Sequence, residues 1–160
     1  MAFTDEQNEQ IRNDLIRAAR RCGTTIGMRK TSVEQLTEAV GISKGSFYKF
    51  FESKELLFFA VLENIHTECF AAAQKSLQAN ATLLPAERAA AAILAACRWL
   101  SKTKAFVFIE NDADFLLHRL PEEVKTATTT MTRRTSVPCW NWAACSPRAV
   151  WRWLPPQCGA

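Results

Sequence analysis

Residues 32 to 51 restrict this chain more than any other stretch, because they encode two short amphipathic helices with only a tight turn between them. Ser32 opens a Ser-x-x-Gln capping box with Gln35, and Val33, Leu36, Ala39 and Val40 supply the buried side of a helix too short to stand alone. Gly41 ends that helix, Ile42 tucks inward, and Ser43 caps a second helix expected over Lys44 to Phe51. Two short helices joined by a turn of about three residues form a helix-turn-helix.

The flanking sequence is helical too. Ile11, Leu15, Ala18, Ala19 and Cys22 recur at three- and four-residue steps, with Thr4 and Asp5 as caps and Gly23 as the stop. Ser53 caps a long helix through Leu56, Leu57, Phe59, Ala60, Leu62, Ile65 and Phe70 toward Leu77. Asn80 to Leu84 reads as a loop. Pro85 suits a first helical position, and Ala89 to Leu100 reads as an Ala-rich, mostly buried helix. Ala105 to Leu120 is a further helix closed by Pro121, and no stretch shows strand alternation, so the expected fold class is all-α. At 160 residues and 48% hydrophobic, the chain is one or at most two globular units. The longest unbroken apolar run, Ala89 to Cys97, falls short of the roughly 20 residues of a membrane span, so no membrane association is expected. The N-terminus lacks a basic start and apolar stretch, which points to the cytoplasm and to six reduced cysteines, with Cys22, Cys69 and Cys97 as small core residues.

Charge is unevenly distributed. All 16 acidic residues precede Lys125, and residues 126 to 160 hold only Arg133, Arg134, Arg148 and Arg152 as formal charges, so that tail carries the whole net +4. Within the neutral body, Arg12 to Lys54 contains nine Lys/Arg against Asp14, Glu34, Glu38 and Glu52, the local excess that phosphate contact requires. The run Arg17, Arg20, Arg21 on the first helix reads as a solvated face.

A helix that enters the major groove needs small residues at its leading end, and Ser43, Gly45 and Ser46 provide them. Lys44 can then reach a base edge. Tyr48, four residues on, can bond a phosphate, while Phe47, Phe50 and Phe51 pack inward. Lys54 begins the next helix, where free N–H groups already favour an anion, and is expected to grip a phosphate; Thr31 and Ser32 have the same opportunity at the start of the first short helix.

The segment Gly41-Ile-Ser-Lys-Gly-Ser-Phe-Tyr-Lys-Phe-Phe-Glu-Ser-Lys-Glu-Leu-Leu resembles the N-terminal DNA-binding domain of TetR-family transcriptional regulators, and the resemblance covers about residues 8 to 65. It implies that Ser32, Lys44, Ser46, Tyr48 and Lys54 occupy positions that touch double-stranded DNA in relatives. Phe50 stands where several relatives carry a histidine that binds the DNA backbone, a role that phenylalanine cannot fill and that Lys49 beside it can take over. The resemblance further implies a three-helix DNA-binding domain over residues 1–52 and a partial all-α ligand-binding and dimerisation domain over 53–125. The protein would be a ligand-responsive repressor acting as a homodimer on a pseudo-palindromic operator. Trp99, Phe106, Phe108 and Phe115 are the candidates to line the cavity for a small-molecule effector of unknown identity, although aromatics at helical spacing also make plain core.

Other constellations carry less. Glu110, Asp114 and His118 stack at four-residue steps near Asp112, but one helix rarely completes a metal shell, so this reads as a solvated acidic face. Cys139, Cys145 and Cys158 lack a Cys-x-x-Cys pair. Lys44-Gly45-Ser46 reverses the order of a phosphate-binding loop, and no Gly-x-Ser-x-Gly elbow is present. Neither metal nor cofactor is expected, nor an enzyme.

The tail differs in kind. Four of five tryptophans, three of six cysteines and four of six prolines fall in residues 138 to 160. A one-base deletion between about Glu123 and Met131 accounts for this. Cys139-Trp-Asn-Trp-Ala read one base earlier becomes Leu-Glu-Leu-Gly, a plausible helix segment, so residues 126–160 are expected to be out of frame. A genuine Trp/Arg-rich tail on a membrane surface or partner is the competing reading, against which the four prolines argue. Two further alternatives follow for the whole chain: a non-functional or dominant-negative regulator fragment that cannot dimerise, or a helical small-molecule-binding protein without DNA binding.

Overall fold

The computed structural model describes residues 4–124. The chain divides into two compact units, Met1–Leu120 and Pro121–Ala160. In the second only Pro121 to Val124 are described, a turn in which the Val124 N–H donates to the Pro121 carbonyl at 3.1 Å. The tail expected to be out of frame lies outside the described residues. The first unit spans both segments that the sequence divides at residue 52.

Local capping sets where each helix begins. Helix α1, Asp5–Gly23, starts at Thr4, whose hydroxyl accepts from the Gln7 N–H while its own N–H donates to the Gln7 side chain. Ser32 and Gln35 repeat that reciprocal pair at α2, Val33–Val40; Ser43 caps α3, Lys44–Phe50; and Ser53 caps α4, Lys54–Ala79. Pro85 opens α5, Pro85–Lys102, as its fixed φ and missing N–H favour. A short α6, Ala105–Phe108, runs through a π-helical turn, Ile109–Ala113, into α7, Asp114–Arg119, so the single helix expected here is interrupted by a wider turn. Leu120 is extended before Pro121, as a residue preceding proline should be. No strand occurs among the described residues.

The core beneath α1 to α4 is built from Leu15, Ala18, Ala19, Met28, Leu36, Phe47, Phe51, Leu57, Phe58 and Val61, all buried. Gly23 lets α1 approach the rest: a Cβ there would lie 3.0 Å from the Phe108 ring and 3.2 Å from Phe58. Arg12 donates to the Phe50 carbonyl at 3.3 Å and sits over the Phe51 ring, joining α1 to α3. Arg20, expected on a solvated face, instead makes two bonds to Glu68 of α4, at 2.7 and 3.2 Å, and lies over Trp99.

Three further expectations change. In α2 the inward face is Leu36 and Thr37, with Val33 and Val40 half-buried and Ala39 exposed; a face repeats at i, i+3, i+4 and i+7, which selects position 37 over 39. Helix α5 packs on α4 but buries only Ala92, leaving Ile93 58% and Leu94 52% exposed, with Cys97 exposed beside them. Helix α4, with charges interspersed, is long and apolar enough to cross a membrane by length and composition, which a count of unbroken apolar runs does not register. Its Leu57, Phe58, Phe59, Val61 and Ile65 are buried within the protein.

Phe47→Ala should destabilise the fold by about 3–5 kcal/mol, the usual cost of emptying a buried aromatic site, and Ser43→Ala by about 1 kcal/mol through loss of a cap. Urea denaturation followed by circular dichroism measures both.

Candidate nucleic-acid interface

The turn between α2 and α3 needs a left-handed residue, and Gly41 supplies it at φ 76°, with its N–H and that of Ile42 returning to the Glu38 and Thr37 carbonyls. Ser43 then accepts from the Ser46 N–H at 3.1 Å, and the two hydroxyls bond each other at 2.9 Å. The leading end of α3 stays small: a Cβ on Gly45 would meet nothing nearer than the Ser43 hydroxyl at 3.9 Å. Phe47 is fully buried, with Phe51 at 6.2 Å between ring centroids. The opposite side of α3 presents Lys44, Gly45, Tyr48 and Lys49, all exposed, with Ser46 and Phe50 half-buried. Tyr48 stands edge-on to Phe47 at 5.3 Å, which braces its ring while half of the residue faces solvent.

Lys44 is occupied in the free protein. Its Nζ donates to Glu34 Oε1 at 2.5 Å, a bridge from α3 back to α2. That hydrogen bond holds the Glu34 carboxyl below its ordinary value and raises the Lys44 ammonium above its own. Both residues are exposed. Nothing in the sequence singles out Glu34, since a helix's first-turn acid ordinarily serves only the dipole.

Two expected contacts are placed differently. Thr31 is 1% exposed, and its hydroxyl donates to the Gly27 carbonyl at 2.8 Å, so it fastens a turn and does not face a phosphate; Ser32 beside it is half-buried and caps α2. Lys54 is half-buried, and its Nζ donates to the Met28 and Thr31 carbonyls at 3.1 and 2.9 Å. Two of its three protons are thereby used on the α1–α2 loop.

The aromatic candidates for a ligand cavity have different surroundings. Phe108 is buried at 5.8 Å from Phe58, Phe106 is exposed, Trp99 lies beside Arg20, and Phe115 lies near the guanidinium groups of Arg29 and Arg119. Asp112, expected on a solvated face, is 2% exposed and accepts from the Met28 N–H at 2.7 Å. No group of metal-ligating residues occurs among the described residues.

The small-ended, exposed α3, held on α2 by a glycine turn and backed by one buried phenylalanine, lies within a match to the family described as bacterial regulatory proteins, tetR family, over residues 15–61. Residues 15–61 thus form a TetR-type N-terminal domain. It is 38% identical over 50 residues to the HTH-type transcriptional repressor Rv1474c of Mycobacterium tuberculosis, covering 31% of this chain and 27% of that protein. Over 39 residues it is 44% identical to the nucleoid occlusion factor SlmA of Glaesserella parasuis, covering 24% of this chain and 19% of the relative, and equally so to SlmA of Haemophilus ducreyi. The chain thus spans about a quarter of the length of the curated relatives it matches.

Lys54→Met should cost the TetR-like domain about 1–3 kcal/mol, because two backbone carbonyls lose a charged donor. Thermal unfolding of the variant beside the parent chain tests this.

Proposed function

We propose that this chain is a sequence-specific, double-stranded-DNA-binding transcriptional regulator. The observation that carries the proposal is the outer side of α3, where Lys44, Gly45, Tyr48 and Lys49 are exposed together behind the Ser43 cap. In this reading α3 enters the major groove. Lys44 leaves Glu34 for a base edge, Ser43, Ser46, Tyr48 and Lys49 bond phosphates, and Ser32 meets the backbone at the start of α2. Lys54 acts mainly by holding the loop before α2, its third proton remaining for a phosphate.

The regulator works in the cytoplasm as a repressor, a sign supported by the name of the mycobacterial relative. It acts as a homodimer on a pseudo-palindromic operator. Support for the dimer comes from α5, which leaves the adjacent Ile93 and Leu94 exposed, apolar surface of the kind that a partner helix covers. A small-molecule effector binds in the α5–α7 half, with Trp99, Phe106, Phe108 and Phe115 as the candidate aromatics; the half-buried state of Trp99 and Phe115 supports those two.

Fluorescence anisotropy with a duplex selected by the protein from a random pool, against an unselected duplex, tests the reading. Lys44→Ala should reduce the preference between the two duplexes, whereas Tyr48→Phe should weaken both equally and leave the salt slope unchanged, because a neutral hydroxyl displaces no counterion. Glu34→Gln should tighten binding to the selected duplex at least as much as to the unselected one, because only the selected complex has to break the Lys44–Glu34 pair. Absence of any salt-dependent DNA affinity would mean a helical small-molecule-binding protein, and a monomer in sedimentation a fragment that cannot dimerise.

A further inference from the structure

Asp112 is a buried carboxylate well outside the reading helices. It sits in the π-helical turn between α6 and α7, a wider turn that proteins often place at functional positions. Its carboxylate reaches over Gly27, where φ is +86° and a Cβ would come within 3.1 Å of Oδ2, to accept the Met28 N–H at 2.7 Å. The other oxygen faces Arg29 Nε at 3.3 Å, and Arg29 also reaches the Asn111 carbonyl at 3.4 Å. From the opposite side Lys54 holds the Met28 and Thr31 carbonyls, and Thr31 bonds back to Gly27. The next residue is Ser32, the cap that starts α2.

We propose that Asp112 is a positioning residue for DNA reading: it fixes the Gly27–Thr31 loop, and through it the start of α2 and the aim of α3. This rests on the regulatory reading above and adds the route by which the α6–α7 segment acts on it. A buried carboxylate is a costly way to hold a loop, and an apolar side chain of similar size would avoid its desolvation only by leaving the Met28 N–H without an acceptor. What the carboxylate adds is direction. Any rearrangement of the π turn must either carry the Met28 peptide with it or break a charge-assisted bond, so the loop takes discrete positions.

The test uses the full chain with Asp112→Ala and Asp112→Asn, the second keeping an oxygen for the Met28 N–H while removing the charge opposite Arg29. In two-dimensional amide NMR without DNA, Asp112→Ala should shift the signals of Met28, of Ser32 to Gln35 and of Lys44 to Tyr48, and Asp112→Asn should restore most of them. Affinity of Asp112→Ala for the selected duplex should fall about tenfold, with a much smaller loss on an unselected duplex. Shifts confined to residues beside positions 28 and 112, or equal losses on both duplexes, would overturn the proposal. If the parent chain fails to discriminate the duplexes, the regulatory reading is lost, and the NMR comparison still decides whether Asp112 positions α2 and α3. Should Asp112→Ala not fold, Asp112→Glu, which pushes the carboxylate further onto Gly27, gives the same decision by whether its shifts reach α3.

Discussion

Both backbone polar groups of Met28 are held by charged side chains from other parts of the chain: Asp112 accepts from the N–H and Lys54 donates to the carbonyl. The Met28 side chain is itself fully buried. A connector in that position cannot turn its amide groups to water, so they must be met from within or the loop cannot stay packed. Everything downstream inherits the result. Thr31 closes on Gly27, Ser32 is delivered as a cap, α2 starts where Ser32 stops, and the Gly41 turn lays α3 against it. The placement of α3 therefore depends on two side chains that stand outside α2 and α3.

Chain topology makes this coupling possible. Lys54 opens α4, the long helix that packs on both α1 and α5, and Asp112 follows α5 by way of α6. The loop is thus bonded to the first turn of α4 and to the segment that follows α5. Gly23 and Phe108 supply the close approach that lets α6 sit against the end of α1, and a larger residue at 23 would drive the two apart. With the two helices driven apart, the Asp112 carboxylate would not reach Met28.

The sequence was most legible where the physics is local. Thr4, Ser32, Ser43 and Ser53 each bond a backbone N–H two or three residues on, so the starts of α1 to α4 could be read from residue type and spacing alone. Gly41 and Pro121 marked stops for the same reason. What failed to show depends on neighbours distant in sequence. An exposed-looking Asp112 is buried only because a π turn rotates it inward and Gly27 leaves room above the loop. Thr37 displaces Ala39 from the α2 core because face geometry outweighs residue hydrophobicity. The alanines of α5 fit a buried helix or a one-sided one equally well, and only the packing of α4 decides that Ile93 and Leu94 remain outside.

The charge count of residues 12 to 54 also changes meaning once folded. Of the nine Lys/Arg between Arg12 and Lys54, six have partners: Arg12 the Phe50 carbonyl, Arg17 Asp14, Arg20 Glu68, Arg29 Asp112, Lys44 Glu34, and Lys54 two carbonyls. Glu68 and Asp112 come from outside that segment, so its positive excess is smaller in space than along the chain. With the excess of that segment reduced from +5 (nine against four) to +3 once Glu68 and Asp112 are counted, bulk attraction to a phosphate backbone is weaker, and the individual groups on α3 count for more. The Lys44–Glu34 pair sharpens this. An exposed ion pair is worth little, so under the proposed function it would give way to a base edge that offers acceptors, and it neutralises the lysine as long as none is present.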